Sequence, residues 1–394
     1  MQHTTFLFTG GGTGGHLFPG LAVAEELRDR LPTARVVFAG SERGIERDIV
    51  ERAGVEHRVL SVEPSTTLRR HPLRFAWRSW KALRAARCLL KQERPAVVIG
   101  LGGFASVPMV LAASRLGIPI VLLEQNMVPG RATRWLASRA RLVCTSFTET
   151  ATVLPKFVDV RLTGNPVRRE IAALVGATLE DGLQSSPPLR GGKTSPATEW
   201  RATLMPPTLV ILGGSQGATA VNDAVLAAAD TLRGFLTGWH ILHQTGTHDE
   251  ARVRARYSEL NLPATVSAFI DDMPALYRTA TLVISRAGAT SLAELACAGC
   301  PAVLIPYPNS IGNHQFWNAW AYADAGGAVM VEQADTAAGT AERLTDALRR
   351  LLIDSDARTR MQAGMREMAL PEAAVTVALE VLRLAGASPT VRSA

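Results

Sequence analysis

The sequence predicts an α/β protein built from two Rossmann-like domains in tandem, each a doubly wound parallel sheet. Short apolar runs alternate with amphipathic ones along most of the chain. Twice, an apolar run enters a glycine turn and then a helix: Phe6 to Thr9 leads into Gly10 to His16 (GGGTGGH), and Thr208 to Leu212 leads into Gly213 to Gly217 (GGSQG). At 394 residues the chain is long enough to give each half its own core.

The first half, residues 1–163, reads as strands at Phe6 to Thr9, Arg35 to Ala39, Arg58 to Val62, Ala96 to Gly100, Ile118 to Leu123 and Leu142 to Thr145. The second half, residues 164–368, opens on Gly164-Asn165-Pro166 and a short helix. It then carries a segment at 176–207 rich in Gly, Pro, Ser and Thr, without periodicity, which reads as a mobile insertion. Strands follow at Thr208 to Leu212 and near Ile241, Val266, Val283, Val303 and Val329. Three helical stretches close the chain, and the last, at 371–386, is expected to cross back onto the first domain.

Composition narrows the function classes. With 47% hydrophobic and 20% charged residues the chain is an ordinary globular protein. Its best apolar run, Ile118 to Leu123, is far short of the roughly 18 residues that span a bilayer. MQHTTFLFTGGG reads as a strand rather than a leader. Four cysteines suggest a reducing compartment, and Cys297 and Cys300, though spaced CxxC, read as buried thiols. No Asp-x-Asp or His/Asp cluster offers a metal site, and no cofactor is implied.

The net charge of +7 is concentrated between Arg69 and Arg94, where nine basic residues face one acid, Glu93. There Leu73, Trp77, Trp80, Leu83, Ala86 and Leu90 form a helical apolar stripe expected to face the sheet. Each is followed by a cation, so a basic flank lies about 100° round the helix. Arg74, Arg78 and Lys81 are its candidate contacts with an anionic membrane surface. That partner is favoured over nucleic acid, for which neither a fold nor an aromatic platform is present, and a merely solvated face also fits.

The stretch from Thr281 to Asn318 carries the densest chemistry. A strand enters a loop and a helix from Ala289 to Ala298 that is apolar or small except for Glu294. The helix start offers unpaired N–H groups and a positive dipole end for a diphosphate. A buried carboxylate one turn on would be satisfied by the two hydroxyls of a ribose, although a solvated Glu294 fits the spacing equally. Gln315 and Asn318 share one face of the next helix and suit sugar hydroxyls. In the first half, Gly10, Gly12 and Gly15 satisfy G-x-G-x-x-G, with Glu42 as a possible ribose acid; this alone also fits a nicotinamide-dependent oxidoreductase. His16, where that loop enters its helix, is the candidate general base, since the dipole there favours a neutral, proton-accepting ring. Glu124, Gln125 and Asn126 end an apolar run, and Arg168 stands where the domains meet, within reach of a phosphate.

TGGGTGGH (Thr9 to His16), LGGF (Leu101 to Phe104), LLEQN (Leu122 to Asn126), GNPVR (Gly164 to Arg168), GGSQGA (Gly213 to Ala218), HQTG (His243 to Gly246), FIDDM (Phe269 to Met273), SRAGATSLAE (Ser285 to Glu294) and HQFWNA (His314 to Ala319) together resemble the MurG family. The resemblance implies a GT-B fold, two Rossmann-like domains facing a cleft. It implies an inverting, metal-independent hexosyltransferase that moves N-acetylglucosamine from UDP-GlcNAc to the 4-hydroxyl of the muramoyl sugar of lipid I, giving lipid II. Its place would be peripheral, on the cytoplasmic side of the cell membrane. By resemblance Ala289, Thr290, Ser291, Leu292, Ala293 and Glu294 hold the diphosphate and ribose, Ile270 meets uracil through its backbone, and Gln315 recognises the sugar. Thr13, Gly14, Gly15, Asn126, Arg168 and Ser215 complete the donor side, His16 matches the base, and Gly102, Gly103, Phe104 and Glu124 fall on the acceptor side. Phe104 stands where the family usually has Tyr, Val107 where Gly is usual, and Thr219 where Arg often follows. A membrane-bound scaffold without turnover is the remaining class, and titration with UDP and NADH separates the three.

Overall fold

A computed structural model describes residues 3–11, 14–41, 44–62, 71–175, 206–213 and 217–388. The first sheet comprises β1 (Thr4–Thr9), β2 (Ala34–Gly40), β3 (Glu56–Val59), β4 (Val97–Gly100), β5 (Ile120–Glu124), β6 (Leu142–Thr145) and β7 (Val160–Leu162), in the order β3-β2-β1-β4-β5-β6-β7. The second comprises β8 (Thr208–Leu212), β9 (His240–Gln244), β10 (Ala264–Ser267), β11 (Ala280–Ser285), β12 (Ala302–Leu304) and β13 (Ala328–Met330), in the order β10-β9-β8-β11-β12-β13. The strand pairs are parallel, and the order reverses beside β1 and beside β8, so each sheet is doubly wound with its ligand crevice at the carboxyl ends of those strands.

The core follows from the two-residue period of a strand. Phe6 and Phe8 of β1 face one layer while Leu7 faces the other; in β8, Leu209 and Ile211 oppose Val210 and Leu212. Five helices position the site and its surroundings: α1 (Gly14–Arg30), α2 (Pro72–Glu93), α3 (Ala289–Ala298), α4 (His314–Asp324) and α5 (Ala373–Leu384). Val377, Ala378, Val381 and Leu382 of α5 lie in the same buried cluster as Phe6, Phe8 and Leu27 of the first domain, and Arg161 at the sheet edge pairs with Glu380.

Three expectations shift. β7 is an additional edge strand; with Asp159 and Arg161 around it, it has no apolar run to betray it. β3 begins at Glu56 rather than Arg58. The larger correction concerns α2. Only its second half, through Leu83, Ala86 and Leu90, packs on the sheet; Leu73, Trp77 and Trp80 are exposed, at 86%, 56% and 55%. The helix is about 33 Å long whereas β4 spans about 13 Å, so the first turns overhang the sheet and, among the described residues, Leu73, Trp77 and Trp80 join none of the buried apolar clusters. Lys81 lies over the Trp77 ring at 4.2 Å and Arg84 over Trp80 at 5.7 Å. Most of the expected insertion, 176–205, together with Thr13, Glu42 and Ser215, lies outside the described residues.

Candidate active site

Because β1, β4 and β5 are neighbours, the loops that follow them converge at one end of the first sheet. Gly102 and Gly103, after β4, have left-handed φ of +88° and +73°, which side chains adopt only with strain. A Cβ on Gly103 would stand 3.0 Å from the Gly11 carbonyl, and one on Gly102 3.5 Å from the His16 ring. Glycine at 103 therefore lets the second loop pass tightly against the first, while at 102 it is the left-handed φ that calls for glycine. From the third loop, Gln125 brings its Oε1 to 3.1 Å from His16 Nδ1. Phe104 turns away to meet Phe75 of α2, ring centres 5.9 Å apart, which links this corner to the overhanging helix.

The second domain contributes α3. Gly288 is its N-cap and Gly299, at φ +63°, ends it, so the helix is bounded as its glycines dictate. Its start meets the start of α1 across the cleft, where the Thr290 hydroxyl donates to the Gly15 carbonyl at 2.8 Å. Two helix N-termini, each with unpaired N–H groups and a positive dipole end, thus face one small volume beside His16. Ala289, Thr290 and Ser291 supply this first turn, while the Leu292 side chain is wholly buried and Ala293 packs with it against the core. Ile270 is half-buried shortly before Asp272, which caps the helix Met273–Thr279 through Ala275 N, 2.9 Å.

Several expected site residues have partners that the sequence did not reveal. Glu294 is 6% exposed and already has two partners inside the protein. Arg168 donates to its Oε1 at 3.1 Å and the Tyr277 hydroxyl to its Oε2 at 2.9 Å. Burial pushes its carboxyl above the usual range, while Arg168 and Tyr277 pull it back. Arg168 accordingly lies against Glu294 and over the Phe18 ring, 5.4 Å away, rather than reaching into an open phosphate site. Glu124 also turns inward; its carboxylate accepts from Asn126 N and Nδ2 and from Gly130 N at 3.0–3.2 Å, so it shapes the loop instead of lining an acceptor site. Asn318 is fully buried, its Oδ1 accepting from Met127 N at 3.0 Å and its Nδ2 donating to Asn126 Oδ1 and the Ala287 carbonyl. It joins the two domains and has no amide group left for a sugar. Gln315 accepts from Tyr307 N through Oε1, 2.9 Å, with its amide nitrogen on the opposite end. Gln125, read in the sequence with Glu124 and Asn126 as a polar end to an apolar run but given no role, has its Oε1 against His16 Nδ1. Cys297 and Cys300 are buried, and burial pushes both thiols up to about 12.

Comparison with known proteins agrees with this geometry. Residues 6–145 match the glycosyltransferase family 28 N-terminal domain and residues 208–377 its C-terminal domain. A relative from Nitratidesulfovibrio vulgaris, named as a UDP-N-acetylglucosamine–N-acetylmuramyl-(pentapeptide) pyrophosphoryl-undecaprenol N-acetylglucosamine transferase, is 41% identical, with 94% of each chain covered. One of the same name from Syntrophotalea carbinolica is 38% identical over 87% of this chain and 89% of its own. The crystal structure of Acinetobacter baumannii MurG superposes with a TM-score of 0.72 and 28% identity, over 96% of this chain and 99% of that one. The fold is therefore GT-B, and the chain belongs to the MurG family within glycosyltransferase family 28.

Proposed function

We propose that the protein transfers N-acetylglucosamine from UDP-GlcNAc to the 4-hydroxyl of the N-acetylmuramoyl sugar of lipid I, with inversion, to give lipid II for peptidoglycan synthesis. The observation that carries this reading is the meeting of two helix N-termini, at Gly15 and Thr290, next to His16, whose ring is held by Gln125. A UDP leaving group needs its developing negative charge met, and the fixed N–H groups and dipoles of α1 and α3 meet it without reorganising. His16 takes the proton of the acceptor hydroxyl as that oxygen attacks the anomeric carbon in line with the departing UDP. The donor side is Gly14, Gly15, Asn126, Ile270, the first turn of α3 and Gln315, with Arg168 acting through its pair with Glu294 and with Thr13 and Ser215 outside the described residues. The acceptor enters over Gly102, Gly103 and Phe104. Turnover of UDP-GlcNAc with a short-chain lipid I analogue tests the reading; UDP binding without transfer would defeat it.

Glu294 is assigned to the ribose. Each of its oxygens accepts one hydrogen bond inside the protein, and each keeps a second lone pair for a ribose hydroxyl. Glu294→Gln is expected to raise KM for UDP-GlcNAc roughly tenfold or more, the usual cost of losing a charged acceptor, with a smaller change in kcat. It should also erase the preference for UDP-GlcNAc over its 2′-deoxyribose analogue. An unchanged KM removes Glu294 from the ribose.

The overhanging half of α2 is assigned to the membrane. Leu73, Trp77 and Trp80 present apolar and amphipathic surface beside the exposed cations Arg74, Arg78 and Lys81, a pattern suited to the interface of an anionic leaflet. The lipid-linked acceptor and the overhanging cationic helix support a peripheral position on the cytoplasmic side of the cell membrane; no helix among the described residues is long and apolar enough to cross a membrane. At about 1 kcal/mol per basic residue, changing Arg74, Arg78 and Lys81 to Glu should weaken binding to phosphatidylglycerol vesicles roughly hundredfold or more and abolish its salt dependence. Equal binding by the variant would remove α2 from that role.

A further inference from the structure

We infer that Gln125 is a positioning residue that fixes His16 as the tautomer protonated on Nδ1, so that Nε2 is left as the nitrogen that accepts the proton. This rests on the reading of His16 as the base. Gln125 is 2% exposed, and its Nε2 donates to the Leu101 carbonyl at 3.3 Å. A backbone carbonyl can only accept, so the amide nitrogen must face Leu101 and the amide oxygen must face His16. That oxygen, 3.1 Å from Nδ1, also can only accept, so the hydrogen belongs on Nδ1. The neutral ring has one lone pair, and it is thereby placed on Nε2, at the other side of the ring. Gly102 and Gly103 pass their backbone against the ring, where ideal Cβ atoms would stand 3.5 Å from His16 Cε1 and 3.9 Å from Cδ2. Those are ordinary contact distances, so the glycine loop leaves the ring room, and the hydrogen bond from Gln125 is what sets its tautomer.

A glutamine that only filled the core would leave the tautomer to chance, and a glutamine that fixes it makes a spectroscopic prediction. In long-range ¹H–¹⁵N spectra of the full-length protein labelled at histidine, the signals missing from His16→Ala assign the His16 ring. They should show Nδ1 protonated and Nε2 bare near pH 8. In Gln125→Leu, which keeps the bulk and loses the acceptor, the pattern should move toward protonated Nε2. Its kcat should fall roughly 10- to 100-fold at an unchanged KM for UDP-GlcNAc, because a base with its lone pair turned inward binds donor normally and takes no proton. A wild-type ring protonated on Nε2 overturns the inference, as does Gln125→Leu with an unchanged tautomer and full kcat. Should Gln125→Leu fail to fold, the wild-type spectrum alone decides. Full activity in His16→Ala, together with Nδ1 protonated, would instead remove His16 as the base and leave the Gln125 assignment standing.

Discussion

Replacing His16 by alanine is expected to lower kcat roughly 10²–10⁴-fold while leaving UDP affinity essentially unchanged. The two halves of that expectation come from different domains. Nucleotide contacts are assigned mainly to α3, Ile270 and Gln315 in the second domain. The ring sits in the first turn of α1, hydrogen-bonded to Gln125. Removing it deletes proton transfer in the transition state, a cost of about 3–5 kcal/mol for that range of rates, and little of the donor's ground-state binding. Steady-state kinetics with a saturating lipid I analogue and calorimetric titration with UDP separate the two quantities. A variant with wild-type kcat would show that the acceptor hydroxyl loses its proton elsewhere. Loss of UDP binding alongside turnover would show that His16 holds up the first glycine loop instead.

How far the sequence reveals such a site depends on whether its contacts are local. Helix α3 is bounded by Ala289 and Ala298 as its sequence implies, because Gly288 and Gly299 mark both ends and each intervening residue but Glu294 is small or apolar. The two sheets were legible for the same reason: buried parallel strands leave near-continuous apolar runs, and glycine turns mark their carboxyl ends. The polar edge strand β7 leaves no such run. The apolar stripe on α2 is visible in the sequence, but periodicity says which residues share a face and not what lies opposite, so the overhang stayed hidden. The partners of Glu294 were hidden in another way. Arg168 stands 126 residues away and Tyr277 17, and neither separation leaves a local pattern. Gln125 shows what alternation can still supply. Glu124 and Asn126 bond each other on one side of the chain, and the two-residue period turns Gln125 the other way, toward Leu101 and His16.

The largest effect on stability is expected from ending the chain after Leu370, which removes α5. This helix belongs by sequence to the end of the second domain, yet it buries Val377, Val381 and Leu382 completely in the first domain's core, with Ala373, Ala374 and Ala378 beside them. At about 1.5–3 kcal/mol for each fully buried Val or Leu, the three large side chains alone contribute roughly 5–9 kcal/mol. A domain's whole stability is typically about 5–15 kcal/mol, so the first sheet, with α1 and Phe6 exposed along one layer, should no longer hold its fold. The second sheet has two buried layers that include nothing from α5 and, from the first domain, only Met127 and Phe147 at the edge of one, so it should survive. Limited proteolysis of the truncated chain should therefore digest the segment before residue 164 and leave a protected fragment of the second domain that still binds UDP. Val381→Asp, a full-length variant that puts a charge into the same layer, should reproduce the pattern in milder form, with a lowered melting temperature and the first domain cleaved ahead of the second. A truncated protein whose first domain resists protease as the intact chain does would show that α5 merely rests on a core already complete without it.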